Sequence, residues 1–69
     1  MDRQTVGNNF KYHAPKPGQA ERYVTIRDTA KTLAVLILED CPISREQHLA
    51  MTNLEQAVFW ANAAISRNE

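Results

Sequence analysis

The chain has a single cysteine among its 69 residues, Cys41, which excludes an internal disulfide. Its two histidines, His13 and His48, do not stand with Cys41 at the close pairwise spacing of a zinc site, so no metal is expected. A domain this small draws only about 3–5 kcal/mol from a single core. With disulfide and metal both missing, oligomerisation is the remaining support, and a homo-oligomer is expected. Glycine and proline are also scarce. Gly7, Pro15, Pro17 and Gly18 fall before residue 19, leaving Pro42 as the one later breaker. No apolar run approaches the roughly 20 residues of a membrane span, and the opening MDRQTVGNN lacks the apolar segment of a signal peptide. Formal net charge is zero, which argues against a protein that coats DNA or RNA. The composition therefore points to a cytosolic protein with neither a nucleic-acid polymer nor a membrane as partner.

Between its breakers the chain reads as helix. From Ala20 to Cys41 the apolar residues Tyr23, Ile26, Ala30, Leu33, Ile37 and Cys41 recur at spacings of three and four, the seam of an amphipathic helix. Val24, Thr25, Ile26, Thr29, Thr32, Val35 and Ile37 in this stretch are β-branched, but a strand has a period of two and rarely exceeds about ten residues. Pro42 ends the helix, since the residue before a proline is pushed out of the α region. Ser44 then precedes Gln47 in an S-x-x-Q capping box, which places the start of a second helix at about residue 44. Met51, Leu54, Val58, Ala61 and Ile65 form its seam, and the pattern runs to about residue 67. So short a connection makes the two helices antiparallel neighbours. The expected fold is all-α: one domain over 1–69, with an extended arm at 1–18 and a hairpin of helices at about 20–41 and 44–67. Val24, Val35, Leu36, Leu49, Phe59, Trp60 and Ala63 lie off the seams and form the surface that protomers would share, with Trp60 as an anchor.

The charges are unevenly placed. Through Lys31 there are six basic and three acidic residues, and beyond it two basic and five acidic, so an anion would be met by the first half. Arg27 and Lys31 are four apart on one helical face, and the arm concentrates Asn8, Asn9, Phe10, Lys11, Tyr12 and His13. Phosphates are bound by guanidinium forks, amines and amides, and bases by flat aromatic faces. Ordinary solvation, with Asp28 nearby, is the commoner explanation of a pair such as Arg27 and Lys31, and Phe10 or Tyr12 docked on the helices would explain the arm. No Cys–His or Ser–His pair has an orienting carboxylate, and no glycine-rich phosphate loop precedes a helix, so an enzyme is not expected.

The arm motif FKYH, followed by GQxERYxxIR and LExAxFWANAAIxR, resembles the small phage proteins called anti-CBASS protein two, which share a helical-hairpin domain with Thoeris anti-defence proteins. The likeness covers nearly the whole chain. It implies a sponge that sequesters cyclic oligonucleotide second messengers without cleaving them and without a cofactor, in the cytoplasm of the infected bacterial host. It also implies a compact homo-hexamer, with cyclic dinucleotide sites between paired protomers and, in some members, cyclic trinucleotide sites at threefold junctions. By this resemblance Tyr12 stacks on a base and Arg27 reaches phosphate, with Asn9, Lys11, His13 and Lys31 around them. Arg3, Thr5, Gly7, Asn8 and Arg67 are the candidates for a trinucleotide site. The competing reading is a helical interaction module or antitoxin-like assembly factor, which would co-purify with a protein and bind no small molecule.

Overall fold

The computed structural model describes residues 1–69 as three helices, α1 (Arg3–Asn9), α2 (Gln19–Asp40) and α3 (Arg45–Asn68), with α2 and α3 packed as a hairpin. The expected extended arm is corrected in its first half, because residues 3–9 are helical. Asp2 starts α1: its Oδ1 accepts from the Thr5 N–H at 2.7 Å, and the helix ends where the Phe10 N–H donates to the Val6 carbonyl. An interior glycine such as Gly7 costs a helix about 1 kcal/mol, so a seven-residue helix containing one needs tertiary support. Asn8 supplies it, its Nδ2 donating to the Arg67 carbonyl in the last turn of α3 at 2.9 Å.

Beyond α1 the arm crosses to α2 without regular structure and turns at Gly18, whose φ of 84° lies in the left-handed region that glycine enters freely. At the far end of the hairpin, Ser44 accepts from the Gln47 N–H at 3.1 Å and opens α3. The second half of the expected capping box differs. The Gln47 side chain does not return to Ser44 but crosses to the end of α2, where Nε2 donates to the carbonyls of Cys41, Ile37 and Leu38 at 3.1, 3.3 and 3.4 Å. The Ile37 carbonyl also accepts from the Cys41 N–H at 3.2 Å, but those of Leu38 and Cys41 have no amide ahead of them in the helix, so a buried donor is worth more there than at the cap.

The seam between the helices is half-buried, formed by Tyr23, Ile26, Ala30, Ala34 and Ile37 against Met51, Leu54, Val58, Ala61 and Ile65. Leu33 and Cys41, expected in it, are exposed; a step of four from Ala30 reaches Ala34, whose small side chain suits close helix approach. No apolar residue anywhere in the protomer is fully buried, and the two residues that are buried are Gln19 and Gln47. The chain measures 44 × 29 × 12 Å, too thin for a second helical layer, and its radius of gyration is 15.2 Å. A compact chain of this length would have a radius of about 11 Å. Its accessible surface is 5632 Å², against about 4,400 Å² for a typical folded monomer of this mass. No helix is long and apolar enough to cross a membrane.

Candidate ligand site

The arm and the last turns of α3 enclose two adjoining recesses. The larger, about 830 Å³, is floored by Trp60, Ala63, Ala64, Arg67 and Asn68 of α3 and roofed by Gln4, Thr5, Gly7, Asn8 and Asn9 of α1, with Lys11 at its edge. The α3 residues share a face because 60, 63/64 and 67 follow the helical period. The Asn8–Arg67 hydrogen bond fixes the roof to the floor. The smaller recess, a groove of about 460 Å³, adjoins it through Asn8, Lys11 and Arg67, with Tyr12, His13, Lys16 and Glu69 among its other walls. Tyr12 is 83% exposed, so its ring face is open. His13 is tied down: its Nε2–H donates to the Asn8 carbonyl at 2.8 Å, which leaves Nδ1 as its free nitrogen.

Charge in this region is lopsided. The one salt bridge of the protomer joins Arg22 to Glu69, so Lys11 and Arg67 face both recesses without a carboxylate partner. Hydrogen bonds from Arg22 and then from Gln19 hold the Glu69 carboxyl down at about 2, so it is fully ionised at neutral pH. At the start of α1, the Thr5 amide lowers the Asp2 carboxyl below its usual range in the same manner. No three His, Cys, Asp or Glu side chains converge on a point where a metal would be held.

The residues singled out from the sequence distribute unevenly. Thr5, Gly7, Asn8 and Arg67 meet in the larger recess and are joined there by Asn9 and Lys11. Arg3 lines none of these recesses and is exposed on the first turn of α1. Lys11, Tyr12 and His13 meet in the groove. Arg27 and Lys31 lie elsewhere, on a shallow apolar recess of about 340 Å³ between α2 and α3 that also holds Glu55 and Phe59. Within one protomer Tyr12 and Arg27 therefore share no recess. Gln4, Ala63, Ala64 and Asn68 were not anticipated as lining residues, and Trp60 was read only as an interface anchor. The signal for Trp60 was its place two turns before Arg67 on the same face of α3.

Neither the curated proteins nor the solved structures offer a match to the chain. A family model described as the Acb2/Tad1 hairpin domain matches residues 1–66, which takes in α1, the arm, α2 and nearly all of α3. On that match the chain belongs to the Acb2/Tad1 hairpin-domain family, that of anti-CBASS protein 2 and the Thoeris anti-defence proteins.

Proposed function

We propose that this protein is a phage anti-defence sponge: it binds cyclic oligonucleotide second messengers in the host cytoplasm, holds them without cleavage, and so keeps the effectors of CBASS immunity inactive. The observation that carries this reading is the amide-rich recess of about 830 Å³ at which Arg67 and Lys11 present unpaired cations beside the open face of Trp60. It offers what a phosphodiester ring requires, namely charge-assisted donors for phosphates and a flat surface for a base. Thr5, Gly7, Asn8 and Arg67 are assigned to cyclic trinucleotides, with Arg3 reaching in from a neighbouring chain. Tyr12 and Arg27, with Asn9, Lys11, His13 and Lys31, are assigned to cyclic dinucleotides.

The dinucleotide site is completed between protomers, since Tyr12 and Arg27 line different recesses of one chain. Assembly to a homo-hexamer is supported by the roughly 1,200 Å² of surface beyond that of a typical monomer, a size comparable to one partner's share of a stable interface or more. Preformed sites of this kind lower the ordering cost of binding. Stoichiometric capture near 1 nM needs roughly −12 kcal/mol, within reach of a few charge-assisted contacts and base stacking. No catalytic group is required for sequestration.

Isothermal titration of the full chain with a panel of cyclic di- and trinucleotides, followed by chromatography of the released ligand, tests the reading. Tight binding with intact ligand recovered is the expected result. Absence of heat across the panel at micromolar protein, with a defined protein co-purifying instead, would favour the interaction-module reading.

A further inference from the structure

The recess between α2 and α3 that holds Arg27 and Lys31 also holds a carboxylate, that of Glu55. These three are the only charged side chains lining it, and the rest of its wall is apolar, Ala30, Leu54, Val58 and Phe59 included. The cations stand on α2 and the acid on α3. They share the recess without forming an ion pair, since the one salt bridge of the protomer is that of Arg22 with Glu69. Glu55 is exposed, so both of its oxygens are open to whatever enters.

A carboxylate works against a site for phosphodiesters. Arg27 and Lys31 bring two positive charges and Glu55 removes one, so a cyclic dinucleotide, with an anionic diester on each side of its ring, is drawn in less strongly than by the cations alone. Acceptance from a base offsets that loss. An ionised carboxyl group only accepts hydrogen bonds, and guanine offers it two neighbouring donors on one edge, N1–H and the 2-amino group, one for each oxygen. Adenine turns an amino group and a bare N1 to the same place, and the N1 lone pair would face a carboxylate oxygen. Glu55 and Phe59 are four residues apart on one face of α3, about 6 Å along its axis, so a purine lying beside Phe59 brings its edge to Glu55. We propose that Glu55 is the base-reading residue of the cyclic dinucleotide site and makes that site selective for guanine. The proposal rests on the sponge reading, in which Arg27 reaches phosphate and Tyr12 stacks on a base, and adds to it the identity of the base.

Isothermal titration of the full chain with cyclic di-GMP, cyclic di-AMP and cyclic di-inosine monophosphate at fixed ionic strength tests it. Cyclic di-GMP is expected to bind about ten-fold tighter than cyclic di-AMP, the discrimination of one bidentate base contact. It should also bind tighter than the inosine ligand, which keeps N1–H and lacks the 2-amino group. Glu55→Gln should weaken cyclic di-GMP about ten-fold and tighten cyclic di-AMP, because an amide pairs with adenine through one donor and one acceptor and no longer repels phosphate. Glu46→Gln, an equal charge change in the first turn of α3, should leave the preference for guanine unaltered. The proposal is overturned if Glu55→Gln tightens both ligands alike, the result of a carboxylate that only repels phosphate, or if it changes neither. Should Glu55→Gln lose helix by circular dichroism, the parent protein decides: equal binding of cyclic di-GMP and its inosine analogue overturns the proposal. Cyclic di-AMP bound as tightly as cyclic di-GMP overturns it and leaves the sponge reading standing, whereas binding of none of the three defeats the dinucleotide site along with it.

Discussion

Gln47 offers the sharpest test of what holds the hairpin together. Its side chain is buried, 6% exposed, and its NH₂ group faces three carbonyl oxygens at the end of α2. Two hydrogens serve three acceptors, so at least one is shared, and these bonds are individually long. Gln47→Leu removes the donor with little change in volume and leaves the Leu38 and Cys41 carbonyls short of partners, while that of Ile37 keeps the Cys41 N–H, at a cost of about 1–3 kcal/mol. For a domain of this size that is a fall of roughly 4–24 °C in Tm. Gln47→Glu is a harsher change, because a carboxylate directed at carbonyl oxygens repels them and must also be desolvated. The introduced carboxyl would have its folded-state pKa raised above the unfolded value of about 4.3. A raised folded pKa adds relative stability below the unfolded value and loses it as pH rises, so Gln47→Glu should be the weaker variant at pH 7 and recover toward pH 4. Thermal unfolding by circular dichroism across that range, at one fixed protein concentration because assembly shifts Tm, reads the effect directly. If Gln47→Glu and Gln47→Leu melt together at pH 7, Gln47 does not act as a donor to α2, and the account of the hairpin turn is wrong.

Other expectations follow from the same geometry. Tyr12→Ala and Arg27→Ala should each weaken cyclic dinucleotide binding by roughly 1–3 kcal/mol in a titration while sedimentation shows the oligomer intact; unchanged affinity would remove them from the site. Trp60 is 66% exposed, and covering that surface in an assembly would contribute about 4 kcal/mol per protomer. Trp60→Ala should therefore shift the sedimentation profile toward smaller species, and an unaltered profile would show that it is no interface anchor. The Glu69 carboxyl, depressed to about 2 from its ordinary 4.5, should stay clasped above pH 4.5 and release Arg22 as pH falls through about 2. Release near pH 4.5, followed by carboxyl NMR, would mean that the Arg22 fork is not formed in solution.

The hairpin was legible in the sequence because its signals are local: a three-four apolar period on each helix, Pro42 as a stop and Ser44 as a start. What was not legible depends on partners distant in sequence. Helix α1 has no apolar period and contains Gly7, and it stands on Asp2 at its start and on the Asn8–Arg67 bond across 59 residues. Only Asp2, a residue suited to an N-cap and three ahead of the Thr5 amide it accepts from, hinted at it. Gln47 followed the capping-box rule in its main chain and departed from it in its side chain, since the nearby end of α2 competes for the same donor. The seam moved from Leu33 to Ala34 because a step of three and a step of four are equally good periodic choices and only packing selects between them. In the site, neighbourhood in sequence brought Thr5, Gly7 and Asn8 together, while Arg67 joined them through the fold. The bonds from Gln19 and Arg22 to Glu69 had no sequence signal, as donors and carboxylate stand 50 and 47 residues apart.

The two buried residues explain how a protein with no buried apolar core still has a definite shape. Gln47 sits in the first turn of α3 and serves the last turn of α2; Gln19 opens α2 and serves Glu69, the residue that caps the end of α3. Each long helix thus uses the glutamine at its start to hold the end of the other, which fixes the hairpin's register at both tips by polar bonds. Between the tips, apolar side chains such as Val24, Leu36, Phe59 and Trp60 are left uncovered. A register set by directional bonds does not change when those faces are covered, whereas one set by apolar packing alone would slide to bury them within the monomer. The division of labour places the recesses near the Gln19 tip, where α1, the arm and the end of α3 meet, and leaves the long faces to neighbouring chains. Loss of a glutamine should therefore shift the hairpin and both recesses together, whereas loss of Phe59 should weaken assembly and leave the Asn8–Arg67 hydrogen bond in place.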